Sequence, residues 1–260
     1  MIEHPVALVT GAGRGIGAAT ARRLAAEGFR VACVDIAAND PAVAYGLSTA
    51  EELSAVADGC GGLALTADVR DQASLDAAVA EAIDTFGRLD VAVAAAGVMV
   101  GGNVGWKIPD DEWSANIDIN LTGVWRTAKA TIPKMLRQSE PRRGRFVAVA
   151  SAAGLQGHPT IAAYVAAKHG VVGLVRSLAT ELGITGITVN AVCPGSTATG
   201  ILQASADVYG LSSLDDFAVH HPIGRILQPA EIASAVSWLC AEEQSGVTGI
   251  TLAVDGGMTI

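Results

Sequence analysis

The sequence predicts an α/β protein: one open, doubly wound parallel sheet of about seven strands with helices on both faces, in a single domain over residues 1–260. Three observations predict it. Short apolar runs of strand length alternate with longer helical patterns along the whole chain, as in repeated strand–helix–strand units. The runs are apolar at successive positions, as in VALVT at Val6–Thr10 and FVAVA at Phe146–Ala150, and strands covered on both faces read that way. Residues able to bind or react cluster where a strand ends or the next helix opens, the edge at which open parallel sheets take ligands.

The bulk properties narrow the function. The 260 residues are 50% hydrophobic, enough for one large core. Net charge is −9, and the one basic cluster, Arg137 to Arg145, reads as a solvated loop before a strand. A nucleic-acid partner is therefore not expected. Cys33, Cys60, Cys193 and Cys240 are widely spaced with no Cys-x-x-Cys pair, so they read as unpaired thiols of a reducing compartment. The five histidines show no metal-ligand spacing, and the adjacent His220 and His221 point to different sides. No metal is expected. No stretch reaches the ~18 apolar residues of a membrane span, and no leader pattern is seen. The chain reads as soluble and cytoplasmic, with no membrane partner.

The elements follow in order. Val6–Thr10 is the first strand. It runs into Gly11-Ala12-Gly13-Arg14-Gly15-Ile16-Gly17, and a helix follows from Ile16 to about Glu27, stopped by Gly28. In this context the glycines let backbone amides and a helix N-terminus approach phosphate oxygens. Gly11, Arg14, Gly15, Ile16 and Gly17 are the candidate phosphate-binding residues. No Lys-Ser/Thr follows, which argues against a triphosphate loop.

Arg30–Ile36 is the second strand, with Asp35 placed 18 residues after Gly17. A carboxylate there accepts both hydroxyls of an adenosine ribose and repels a 2′-phosphate. Ile36 and Ala37 supply no cation to counter that, so NAD is predicted over NADP; Arg14 is the one nearby argument the other way. The link to the next strand, Ala37 to about Gly62, is long. Asn39-Asp40-Pro41 marks a turn, and Thr49 with Glu52 forms a capping-box pattern for a helix near Ala50–Ala57. That leaves an extra loop, Ala37 to Ser48, beside the adenosine end. It is either a cover for the cofactor or a surface insertion.

Gly62–Thr66 is the third strand. Asp68 beyond it is placed for the adenine amino group, with Val69 against the ring. A helix runs from Ser74 to about Phe86. Leu89–Ala94 is the fourth strand, and Ala95-Ala96-Gly97 then offers no side chain to clash with a flat ring. After a loop from Val98 to Pro109, Asp111–Leu136 reads as one long helix. Asn120 lies on its apolar face, among Ile117, Leu121 and Val124. A buried Asn must be hydrogen-bonded, so it can bend the helix and hold a water behind Lys168.

Gly144–Ala150 is the fifth strand, and Ser151 stands at its end. The next helix, Thr160 to Leu182, carries Tyr164 and Lys168 four residues apart, hence on one face. An ammonium beside a phenol favours phenolate and draws its pKa down from ~10. A serine hydroxyl can hold a substrate oxygen against that phenol. Ile187–Cys193 is the sixth strand, ending at Pro194-Gly195, and a turn with Thr197 and Thr199 follows. Residues 196–226 form a substrate lid, irregular from Ile201 to Ile226. Pro229–Cys240 is helical with Pro in its first turn. Ile250–Val254 is the last strand. Leu202, Val208, Tyr209, Leu211, Leu214 and Phe217 of the lid, with Val98, Met99, Leu155 and Trp106, predict an apolar pocket.

Jointly these pieces resemble the short-chain dehydrogenase/reductase family over essentially the full chain. The resemblance rests on Thr10 to Gly17, Asp35, Asp68-Val69, Ala95-Ala96-Gly97, Asn120, Ser151, Tyr164-Val-Ala-Ala-Lys168, Pro194-Gly195 and Thr199, with 13 residues from Ser151 to Tyr164. It implies a Rossmann-type fold and an NAD-dependent oxidoreductase acting on a small-molecule secondary alcohol or ketone, hydrophobic or cyclic. By the same resemblance Tyr164 is the general acid/base, and Lys168 binds the nicotinamide ribose and lowers the Tyr164 pKa. Ser151 positions the substrate oxygen, and Asn120 holds a helix kink and a relay water. Ile16 packs by the cofactor, and Thr199 bonds the nicotinamide carboxamide. A homotetramer is implied, through the helices of Asn120 and Tyr164 and through the C-terminal strand. Ala95 departs from the family's Asn at that place, for an expected loss of about 1 kcal/mol. The loop Ala37–Ser48 is similar to that of a subgroup associated with the redox peptide cofactor mycofactocin, in which NAD is held without free exchange. A transient oxidation, as in an epimerase or dehydratase, and a non-catalytic NAD-binding scaffold are the rival readings.

Overall fold

A computed structural model describes residues 4–260. Seven strands form one sheet: β1 Val6–Thr10, β2 Arg30–Asp35, β3 Leu63–Thr66, β4 Val91–Ala94, β5 Arg145–Val149, β6 Thr188–Pro194 and β7 Thr251–Val254. Their order is β3-β2-β1-β4-β5-β6-β7, and all pairs are parallel. The order reverses between β1 and β4, where Thr10 pairs with both Val34 and Ala94. The crevice beyond that point is where this architecture binds ligands.

The successive-apolar pattern has its expected cause. Val6 and Leu8 point into one core and Ala7 and Val9 into the other, all four fully buried. Helices α3 (Gln72–Phe86), α5 (Gly123–Leu136) and α6 (Ala162–Leu182) cover the first face; α1 (Gly15–Ala26), α2 (Ala50–Cys60) and α8 (Pro229–Cys240) cover the second. The capping box forms as expected: Glu52 N donates to Thr49 Oγ1 and Thr49 N to Glu52 Oε2. Strand limits differ from the expected ones by a residue or two, as element ends do. The four cysteines are free.

Three expectations are corrected. The helix read as continuous from Asp111 to Leu136 is α4 (Asp110–Ile117), a π-helical turn over Asp118–Thr122, and then α5. Asn120 explains the wide turn. Its Nδ2 donates to Asn116 O and Val98 O, both at 2.9 Å, and its Oδ1 accepts from Val98 N. A side-chain donor on the carbonyl four residues back displaces the backbone bond there. The segment expected as a lid is the second case. It contains α7 (Gly200–Tyr209) and a 3-10 helix over Leu214–His220. Thr199 and Ser213 act as caps: Thr199 Oγ1 accepts from Leu202 N and Ser213 Oγ from Asp215 N. Trp106 is the third. It is 84% exposed and walls no pocket. Among the described residues no helix is long and apolar enough to cross a membrane.

Candidate active site

A cleft of about 650 Å³ opens at the C-terminal edge of the sheet. It is lined by every residue singled out above for cofactor or catalysis except Asn120, which stands behind it. The glycine turn forms its floor at one end. A Cβ on Gly17 would lie 2.0 Å from Gly11 O, so only glycine lets α1 approach the turn this closely. The N-cap Arg14 makes no side-chain bond to α1, and the first turn holds no acidic residue. The opening N–H groups of α1 are left for an anion, as at other helix N-termini that bind phosphate.

At the adenosine end Asp35 is held on both oxygens. Oδ2 accepts from Gly13 N at 2.9 Å, and Oδ1 accepts from Ser48 Oγ at 2.5 Å. Ile36 and Val69 complete that part of the lining. Asp68 reaches the cleft with its carboxylate gripped by Arg70, at 3.0 Å from Nε and 2.7 Å from Nη2. Burial acts to raise the Asp68 pKa, but the Arg70 hydrogen bonds outweigh it and hold the carboxyl below its usual range. Arg70 also reaches Asp40 of the extra loop, Nη1 to Oδ2 at 2.5 Å. That loop crosses further: Met99 N donates to Tyr45 Oη, and Arg14 lies over the Tyr45 ring. Neither role carries a sequence signal: Arg70 joins its neighbour Asp68 to the distant Asp40, and Tyr45 meets Met99 from 54 residues away.

The missing asparagine at Ala95 has a local substitute. Thr10 Oγ1 accepts from both Ala95 N and Ala96 N, at 3.2 and 3.3 Å, and so ties β1 to the end of β4. Gly97 leaves the next gap open. A Cβ there would lie 2.9 Å from Asn120 Oδ1 and 3.6 Å from Lys168 Nζ.

Ser151, Tyr164 and Lys168 converge at the far end. Ser151 leaves β5 and its Oγ accepts from Ala153 N. Tyr164 and Lys168 stand on α6, 9% and 4% exposed. Lys168 Nζ donates to Val149 O at 2.9 Å and lies 5.6 Å from the Tyr164 ring centre. Burial pushes the phenol up to about 12, with the Ser151 hydroxyl acting in the other direction. Burial pushes the Lys168 ammonium down to about 8. The expected depression of Tyr164 by Lys168 is therefore corrected: the low-dielectric surroundings that bring the pair together penalise both charged forms.

Pro194, Gly195, Thr197 and Thr199 line the wall opposite. Thr199 also caps α7 and donates to Thr197 O. His221, 3% exposed and just past the 3-10 helix, accepts from Ser196 N through Nε2 and ties that segment to this wall. Of the expected apolar residues, Val98, Met99, Leu202, Tyr209, Leu211 and Phe217 line the cleft. Val208, Leu214, Leu155 and Trp106 do not, whereas Ile161, Ile201 and Met258 do.

A parallel sheet of this order, a glycine turn at its switch point and a Ser-Tyr-Lys cluster at the other end of one cleft define a class of nucleotide-dependent oxidoreductases. A family model described as Enoyl-(Acyl carrier protein) reductase matches residues 11–259. An uncharacterized oxidoreductase from Mycobacterium tuberculosis is 43% identical over 98% of this chain and 96% of its own length. The (-)-trans-carveol dehydrogenase of Rhodococcus erythropolis is 39% identical over 100% of this chain and 99% of its own. The crystal structure of carveol dehydrogenase from Mycobacterium avium in complex with NAD matches with a TM-score of 0.92 at 38% identity, covering 98% of this chain and 97% of that one. The chain belongs to the short-chain dehydrogenase/reductase family.

Proposed function

We propose that this protein is an NAD-dependent dehydrogenase that interconverts a hydrophobic or cyclic secondary alcohol and its ketone, with Tyr164 as general acid/base. The observation that carries the reading is one cleft with Asp35 and the glycine turn at one end and Ser151, Tyr164 and Lys168 at the other. NAD-bound and carveol-oxidising relatives support the cofactor and the cyclic substrate.

The residues present fit the dinucleotide. The open N-terminus of α1 suits a pyrophosphate, Asp35 a ribose diol, and bare Gly97 a flat ring. When bound, NAD would supply the hydride acceptor and, in its oxidised form, a positive charge that favours phenolate. The chain supplies the rest. Ala153 N–H fixes the Ser151 oxygen, which leaves the Ser151 hydrogen and a remaining lone pair for the substrate oxygen. Tyr164 takes the alcohol proton in oxidation and returns it to the carbonyl oxygen in reduction. Lys168, held by Val149 O, keeps donors for the ribose hydroxyls near the phenol. Apolar lid residues exclude water. Tyr164→Phe is expected to lower kcat by at least ~10³ while dinucleotide binding persists. Turnover near wild type would refute the assignment.

A second reading concerns exchange of the cofactor. The loop from Ala37 to Ser48 is tied across the cleft at three points: Asp40 to Arg70, Tyr45 to Met99, and Ser48 to Asp35. This supports a mycofactocin-type dehydrogenase whose NAD does not leave between turnovers. Acid denaturation of purified protein and assay of released NAD(H) tests it. Stoichiometric NAD, with turnover only when an artificial electron acceptor is added, supports the reading. A protein that purifies empty and turns over with added NAD defeats it.

A further inference from the structure

We propose that Ser48, carried on the extra loop, is a specificity-determining residue. It fixes Asp35 and makes the adenosine end of the cleft a surface of hydrogen-bond acceptors, which selects an unphosphorylated ribose. The proposal rests on the reading of this protein as an NAD enzyme.

Ser48 is 4% exposed and lines the cleft beside Asp35. A hydroxyl has one hydrogen, and that of Ser48 is committed to Asp35 Oδ1 at 2.5 Å. A short bond to a carboxylate is of the strong, charge-assisted kind. Gly13 N holds the other oxygen. The carboxylate is thus gripped from the glycine turn on one side and from the loop on the other. What these two side chains still offer a ligand is lone pairs: those of Asp35 and those of the Ser48 oxygen. A ribose diol donates two hydrogens and matches them. A 2′-phosphate only accepts, carries charge and meets no donor on either side chain; Arg14, which also lines the cleft, has its guanidinium over the Tyr45 ring. Arg70 also lines the cleft, but Asp40 and Asp68 hold its guanidinium.

The contact is built into the fold. A Cβ on Gly13 would lie 2.6 Å from the Ser48 Cβ and 3.1 Å from Asp35 Oδ2, so the three residues pack as one unit. The loop's ties at Asp40 and Tyr45 place Ser48 before any ligand arrives. Asp35 alone discriminates by charge. Ser48 adds orientation and removes a donor that a freely rotating hydroxyl would lend to a phosphate.

The test is equilibrium titration of wild type and Ser48→Ala with NADH, NADPH and an NADH analogue lacking the adenosine 2′-hydroxyl. Loss of one charge-assisted bond should weaken NADH about tenfold. The preference of NADH over NADPH should narrow, and the penalty for the 2′-deoxy analogue should shrink in the variant. An unchanged preference together with an unchanged analogue penalty overturns the proposal, whatever the variant's stability. Should Ser48→Ala fail to fold, Ser48→Cys keeps the volume with a much weaker donor and is read the same way. A wild type stripped of any bound nucleotide that then binds neither NADH nor NADPH would overturn the NAD reading itself. NADH binding equal in wild type and variants would overturn only the role of Ser48.

Discussion

Burial governs the ionisation of Tyr164 and Lys168. Left to the protein's own groups, the phenol stays protonated up to about 12. In the proposed mechanism the protonated form is the acid for ketone reduction, and the ionised form is the base for alcohol oxidation. The kcat/KM for oxidation should therefore rise with pH, and that for reduction should fall as pH approaches the phenol's pKa. Parallel profiles in the two directions would remove Tyr164 from the proton path. Lys168 gives a stability prediction of definite sign. Its folded pKa is lowered to about 8 from an ordinary value of 10.5. Stability that is present at high pH is then lost as pH falls from about 10.5 towards about 8. Relative to wild type, Lys168→Met should gain stability across that window while losing activity. Denaturant midpoints at pH 7 and pH 10 give the comparison, and a gap that does not change between them refutes it. The tyrosine–lysine spacing was legible in the sequence. The direction of the pKa shifts was not, because spacing tells nothing of dielectric.

The π-helical turn places Asn120 so that one side chain serves the Val98 backbone and the Asn116 carbonyl together. Asn120→Ala would leave the buried Val98 N–H and C=O without these bonds, at a cost of about 2–4 kcal/mol by urea denaturation. A loss below about 1 kcal/mol would mean that the backbone re-pairs and the turn reverts to α-helix. The same element marks what a linear reading can hold. Strands came through because buried parallel strands write themselves as apolar runs, and α1, α2 and α3 came through because caps and stop glycines sit next to them. The wide turn at Asn120 did not, since its cause is a bond to Val98 across the site. Helix α7 did not, since Thr199 and Gly210 bracket it with residues that also make loops. The roles of Ser48, Tyr45 and His221 are not legible for one reason: each acts through a partner in another loop or strand, as does Arg70 in its bond to Asp40.

The whole molecule leaves apolar surface unaccounted for. Trp113 on α4 and Trp125 on α5 are each 44% exposed, as is Trp238 on α8. Strand β7 ends the sheet and is only half-buried along Thr251–Val254. An apolar edge strand with one face uncovered is an opening for pairing, and exposed tryptophans at helix faces mark contact surfaces. The family resemblance implies a homotetramer, and we propose that the α4–α5 and α6 helices form one of its interfaces and the β7–α8 edge the other, each closed by a two-fold axis. Light scattering on the purified protein should return the mass of four 26.3-kDa chains. Placing a charge at the centre of one face then separates the two contacts. Trp125→Glu should halve the assembly to a dimer joined at the β7 edge, because an interface core that buries an unpaired carboxylate is lost before one that does not. A wild-type monomer would refute both interfaces. A Trp125→Glu protein that stays tetrameric would place the α5 tryptophan outside the contact.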